Sequence, residues 1–248
     1  MLLVSRAISR MLRRRVALLG GLGMSLFFLA VYSAGIGGVG FLPQFGGGGY
    51  LAFLLPMSLV SLAMGSAAGA GQSLHDDMVS GYFRRLYLSP VPRWTFVLAP
   101  ISADAAATAL GSLGILVAGL LFGVPLRFGV VSLAGLLLLS VLWGVTLSAL
   151  SAGVMVRTGS PEGARIVTSA VFPLIFLSTT FMPRELITAR WLRAASWANP
   201  VTYLLEGMRF LLAGTAPLEF FLIGLGLTAA AAIAALVFAL TGARRILV

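Results

Sequence analysis

The 248 residues include no cysteine, no lysine and a single histidine, His75. Without cysteine there is no disulfide framework, no thiolate nucleophile and no sulfur-ligated metal. One histidine excludes the two-histidine metal sites, so no metal site is expected. All 17 basic residues are arginines, which rules out a G-x-x-x-x-G-K-[ST] phosphate loop and any Schiff-base lysine. If ATP drives this chain, another chain must bind the ATP and its magnesium; the expectation is no cofactor here. Neither histidine nor cysteine is available within an apolar run to activate a nucleophile, which argues against an intramembrane hydrolase. Charge of either sign is scarce at 10% of residues, whereas a soluble domain carries about a quarter.

What fills the chain instead is apolar: 59% hydrophobic residues with a mean hydropathy of +1.04. The longest runs match the ~20 apolar residues that cross a bilayer. The sequence therefore predicts an all-α integral membrane protein forming a single transmembrane domain, residues 1–248. The net charge of +10 could suggest nucleic acid, but the arginines gather at the ends of apolar runs. That is where orientation signals and headgroup contacts sit, so the expected partner is the lipid bilayer and not nucleic acid.

Taken in order, residues 1–15 place Arg6, Arg10, Arg13 and Arg14 on one helical face and Val4, Ile8, Met11 and Leu12 on another. This is the pattern of an interfacial helix. A secretory signal is the competing reading, but the apolar run is long and no clean cleavage site follows. Six spans are predicted at about 16–37, 50–72, 95–122, 129–156, 166–182 and 218–242. Gly65 and Gly69 in the second form a small-xxx-small face suited to close helix approach. Pro100 should kink the third. Ser160-Pro161-Glu162 has the cap, first-turn proline and acid of a helix start.

Between the second and third spans lies Ser73–Trp94, an expected amphipathic cytoplasmic helix. Ser73 reads as its cap, Asp76 and Asp77 suit its N-terminus, and Arg84 and Arg85 suit its last turns. Leu74, Met78, Tyr82 and Leu86 repeat every four residues as its apolar face, and Pro90 and Pro92 end it. An exposed apolar face of this kind marks a surface that a partner contacts.

Asp104 is the one acid expected inside a span, with Thr108 and Ser112 on the same helix face. A buried charge of this kind should face protein or a wet cavity. It is either a candidate lining of a transport path or a boundary residue paired with an arginine such as Arg93 or Arg13. Residues 183–214, before the last span, read as outer interfacial or re-entrant helices with tryptophan anchors. There Asn199-Pro200 restarts a helix, and Glu206 and Arg209 lie one turn apart and can pair.

Twelve of the 17 arginines fall on the side shared by residues 1–15, 73–94, 157–165 and the C-terminus. The positive-inside rule then places both termini in the cytoplasm.

Arg84-Arg85-Leu-Tyr-Leu-Ser89-Pro90-Val-Pro-Arg93 resembles the first cytoplasmic loop of type-2 permeases of ATP-binding cassette exporters. A second stretch is similar to the family's fifth span, outer segment and helix restart. It runs from Phe172-Pro-Leu-Ile-Phe-Leu-Ser178 and Phe181-Met-Pro183 through Trp191-Leu to Asn199-Pro200-Val-Thr-Tyr203-Leu-Leu-Glu206-Gly-Met-Arg209. The resemblance covers nearly the whole chain and departs from the common pattern at Asp76-Asp77. It implies a dimeric permease, homodimer or heterodimer, in the cell inner membrane, docked to separate ATPase subunits that it couples to export of a drug-like, lipid or glycan substrate. The coupling surface would comprise Asp76, Asp77, Tyr82, Arg84, Arg85, Ser89, Pro90 and Arg93, with Arg10, Arg13 and Arg14. Independently of the resemblance, Asp104, Thr108 and Ser112 are the candidate path residues, while Asn199, Pro200, Tyr203, Glu206 and Arg209 belong to the matched outer segment. The alternative is a self-sufficient secondary transporter or channel working through Asp104.

Overall fold

The computed structural model describes residues 48–80, 94–212 and 216–243, with isolated positions between 23 and 45. The expected helix at 1–15 with Arg10, Arg13 and Arg14 lies outside the described residues. So do most of the first span and the stretch holding Tyr82, Arg84, Arg85, Ser89, Pro90 and Arg93.

The described residues build an all-helical bundle. Its helices are α1 (Gly49–Val79), α2 (Trp94–Leu121), α3 (Val130–Thr158), α4 (Pro161–Phe176), α5 (Arg190–Ala198), α6 (Pro200–Leu211) and α7 (Leu218–Ala243). A short 3-10 turn, Arg184–Leu186, precedes α5. Four helices are long and apolar enough to cross a membrane: α1, α2, α3 and α7. They correspond to the second, third, fourth and sixth predicted spans.

α3 is the hub, packed against α1, α2, α4, α6 and α7. Its Leu-rich first half enters a core with Leu54, Leu55 and Leu59 of α1 and Leu204, Leu205 and Met208 of α6. Its second half packs in a second core of smaller residues, including Ala70, Ala149, Ala152, Ala235 and Ala239. Large apolar side chains also remain on the surface, such as Leu110 and Leu121 of α2 and Leu222 and Ile233 of α7. On a soluble protein such a surface would drive association, whereas against lipid it needs no cover.

Local signals account for several boundaries. Gly159, at φ +67°, closes α3 in the left-handed conformation that glycine adopts without a Cβ clash. Ser160 Oγ then accepts from the Glu162 amide at 3.2 Å, with Pro161 in the first turn of α4, as the sequence predicts. α2 continues through Pro100.

Two boundaries differ from expectation. No helix starts at Ser73, because α1 runs unbroken through it to Val79, and the C-cap is Ser80. The cap-like serine and two aspartates lie in the last turns of α1 instead, and Gln72 Nε2 donates to Asp76 Oδ1 at 2.9 Å along that helix. The fifth apolar run, expected to extend to residue 182, is helical only to Phe176. Beyond it, the Ser178 and Thr180 hydroxyls both donate to the Ile175 carbonyl, offering the backbone an alternative to another helical turn. The 16 residues of α4 span about 24 Å, short of the ~30 Å hydrocarbon core.

Candidate functional site

Two polar centres lie within the bundle, and a third flanks them. The first is built around Arg209, which is 2% exposed. α6 is positioned by Asn199, whose Oδ1 accepts from the Val201 amide at 3.0 Å while Pro200 opens the helix. The Asn199 amide nitrogen also donates to the Leu174 carbonyl in the last turn of α4, one of the acceptors that a helix end leaves free. So fixed, α6 turns Arg209 inward. Its Nε donates to the Phe53 carbonyl of α1 at 3.2 Å. Nη1 donates to Thr179 Oγ1 at 3.1 Å and Glu206 Oε1 at 2.9 Å. Nη2 donates to the carbonyls of Thr179 at 2.7 Å and Thr180 at 3.3 Å. All five guanidinium donors thus have acceptors.

Thr179 Oγ1 in turn donates to Glu206 Oε1 at 2.7 Å, and the Phe53 ring lies 3.5 Å from the guanidinium carbon. Burial pushes the Arg209 pKa below its ordinary value, opposed by the attraction and hydrogen bond of Glu206. The pair expected from its one-turn spacing is therefore part of a clamp joining α1, the turn after α4, and α6. Tyr50 reinforces it by donating to the Phe181 carbonyl at 3.2 Å. Tyr203, the last of the predicted outer-segment residues, bonds through its hydroxyl to the Trp197 carbonyl at 2.9 Å and so ties α6 to α5.

The second centre is Asp104 on α2. Its Oδ2 accepts from the Ala70 amide of α1 and from Ser148 Oγ of α3, both at 2.7 Å. Gly69 makes the approach feasible, since a Cβ there would come within 2.7 Å of Asp104 Oδ1. Half of the expected small-xxx-small face thus serves a contact inside the chain, while Gly65 meets nothing within 4 Å. One turn along, Thr108 packs where Gly144 of α3 lacks a side chain, and Thr108 and Ser112 are fully buried by the chain's own helices. A charge in hydrocarbon costs about 2.5–3.5 kcal/mol on insertion scales, and the two donors offset part of that here.

The third feature is Arg184, which sequence reasoning did not single out. Its guanidinium carbon lies 4.0 Å from the Trp197 ring centre, 4.9 Å from Phe220 and 5.8 Å from Tyr203. Its Nε and Nη2 are buried and make no hydrogen bond. Cation–π contact contributes about 0.5–2 kcal/mol. Each unmet buried donor costs about 1–3 kcal/mol, and rings over the faces of the guanidinium leave its in-plane N–H groups without acceptors.

Of the predicted coupling residues, Asp76 and Asp77 lie partly buried near the C-terminal end of α1. The arginine face expected to follow them falls outside the described residues. Among those described, no group of three or more His, Asp or Glu side chains could hold a metal ion. Sequence reasoning also overlooked Ser148 and the Thr179-Thr180 turn. The small residues Ser140, Gly144, Ser148 and Ala152, four apart on α3, were a readable sign of a close helix contact.

Long apolar helices around a hub, buried charges clamped between them and an apolar exterior define a multi-pass helical membrane protein. Residues 1–213 match the ABC-2 type transporter family, and the chain belongs to it. It is 28% identical over 193 residues to the daunorubicin resistance ABC transporter permease protein DrrB1 of Streptomyces coeruleorubidus, covering 77% of this chain and 67% of that one. It is 26% identical over 213 residues to the putative transport permease ycf38 of Cyanophora paradoxa, with 84% and 72% covered. The probable doxorubicin resistance ABC transporter permease protein DrrC of Mycobacterium tuberculosis is 23% identical over 212 residues, with 84% and 75% covered.

Proposed function

We propose that this chain is the membrane-spanning subunit of an ATP-driven exporter. It works as a homodimer, or as a heterodimer with a similar chain, docked to separate ATP-binding cassette ATPase subunits that hold the ATP and magnesium. The observation that carries this reading is the family match over residues 1–213 in a sequence with no lysine for a phosphate loop. The proposed substrate is a drug-like amphiphile, in keeping with the resistance named for two of the relatives.

In this reading the chain has six spans, the first formed by residues 16–37 and the fifth completed by the turn after α4. Both termini face the cytoplasm from the inner membrane. The charged end of α1 with Asp76 and Asp77, the following segment with Tyr82, Arg84, Arg85, Ser89, Pro90 and Arg93, and Arg10, Arg13 and Arg14 form the ATPase contact. The Arg209 clamp and α5 lie on the outer side, where they close the passage between transport events. Asp104 holds α1, α2 and α3 together, and Thr108 and Ser112 pack in that seam. Its carboxylate is engaged by a backbone amide and a serine, an arrangement that supports anchoring over ion exchange as the work of a self-sufficient transporter.

The test is daunorubicin efflux from vesicles holding the chain and its ATPase, which should stop when the ATPase loses its phosphate-loop lysine. Nucleotide-independent uphill transport by the purified chain alone would overturn the proposal. Orientation is checked with Arg84→Cys, the sole thiol in an otherwise cysteine-free chain. A membrane-impermeant maleimide should reach it only from the cytoplasmic side.

A further inference from the structure

Arg184 is held in a way that leaves it unfinished. It follows buried Pro183 in the short 3-10 turn before α5, and rings from three helices surround its guanidinium: Trp197 of α5, Tyr203 of α6 and Phe220 of α7. Aromatic rings can occupy the faces of a guanidinium but cannot accept its in-plane N–H bonds well. The donors left without a partner are Nε–H and Nη2–H, which lie parallel on one edge. That edge is the one with which arginine grips two oxygens of a phosphate or carboxylate at once.

Among the described residues no carboxylate completes it. Glu206 is engaged by Arg209 and Thr179, and Arg184 forms no ion pair with Glu185 or Glu219. Nearby Arg193 differs in this respect, since its Nε and Nη2 both donate to the Ile187 carbonyl. Arg184 is thus an oriented fork whose two edge donors meet no acceptor.

We propose that Arg184 is a phospholipid site, gripping the phosphodiester of one headgroup between α5 and the start of α7. A lipid is the source because of what surrounds the fork. Trp197 is 53% exposed, Trp191 68% and Leu218 52%. Exposed aromatic and aliphatic side chains beside a cation at the end of a span are the features of a membrane–water interface. The phosphate meets the arginine while its acyl chains lie along the apolar surface of α7, where Leu222 is 56% exposed. The two donors are covered in the ligand-free chain, so the rings must part for the headgroup, and Trp197 has the most room to move. This inference requires the chain to lie in a bilayer but does not depend on the ATPase coupling proposed above.

Native mass spectrometry of the intact chain released from detergent tests it, with phosphatidylglycerol, diacylglycerol of the same acyl chains and inorganic phosphate as probes. The wild type should retain one phosphatidylglycerol at least tenfold better than Arg184→Gln, with Arg184→Lys between them because it keeps the charge and loses the fork. The exposed Arg190→Gln should retain it like the wild type. Diacylglycerol should not be retained, and millimolar inorganic phosphate should not displace the lipid. Equal retention by Arg184→Gln, loss in Arg190→Gln, equal retention of diacylglycerol, or displacement by phosphate would each overturn the proposal. If Arg184→Gln loses its helical circular dichroism, the comparison of phosphatidylglycerol, diacylglycerol and phosphate on the wild type alone decides it.

Discussion

Arg209 and Asp104 are both charges enclosed by helices, and the chain accommodates them in opposite ways. Arg209 presents five donors in a rigid plane, so its surroundings must supply acceptors at set positions. These come mainly from a turn, at Thr179 and Thr180, where carbonyls are free of helical bonds. The Phe53 carbonyl of α1 adds another, one residue past the carbonyl that Pro56 deprives of its helical N–H. Asp104 is an acceptor with tolerant geometry, and needs only donors close by. It finds them between tightly packed helices, where Gly69 lets a backbone amide come within reach and Ser148 adds a hydroxyl. A buried cation of this shape calls for irregular backbone around it, whereas a buried carboxylate calls for small side chains.

That contrast is open to attack first at Arg209. Arg209→Met leaves the turn carbonyls without their donor and Glu206 without its cation, and should lower stability by about 3–5 kcal/mol. A large fall in the thermal unfolding midpoint of the detergent-solubilised chain reports it. Adding Glu206→Gln should recover part of the loss, and strict additivity of the two would show that they are not a clamp. At the other centre, Gly69→Ala should cost about 1–3 kcal/mol through the forced separation of α1 and α2. Gly65→Ala, with open space around it, should leave the same midpoint unchanged; equal effects would mean that the Asp104 contact does not depend on Gly69. The smallest effect belongs to Ser148→Ala, about 1.5 kcal/mol for one lost hydrogen bond to a carboxylate that keeps its Ala70 donor, read in the same melt. A loss as large as that of Arg209→Met would erase the distinction between a demanding cation and a tolerant carboxylate.

Much of the bundle was legible because its causes are local. Run lengths located four long helices, and Ser160-Pro161-Glu162 and Asn199-Pro200 marked two helix starts correctly, since capping involves residues two or three apart. The Glu206–Arg209 pair was likewise visible from its one-turn spacing. Its depth was not, because the acceptors that enclose Arg209 come from Phe53 and Thr179, 156 and 30 residues away. Ser73 misled for a related reason: a serine before two aspartates stabilises a new helix start but does not interrupt a helix already formed. Arg184 carried no local sign at all, since its three rings come together only when α5, α6 and α7 are packed.

The uninterrupted course of α1 has a mechanical consequence. Its 31 residues make a rod about 46 Å long, longer than the hydrocarbon is thick. Phe53 near one end receives Arg209, Ala70 further along is tied to Asp104, and Asp76 and Asp77 lie close to the other end. A tilt imposed where the aspartates sit is levered directly onto both anchorages, so one pull can loosen the two together.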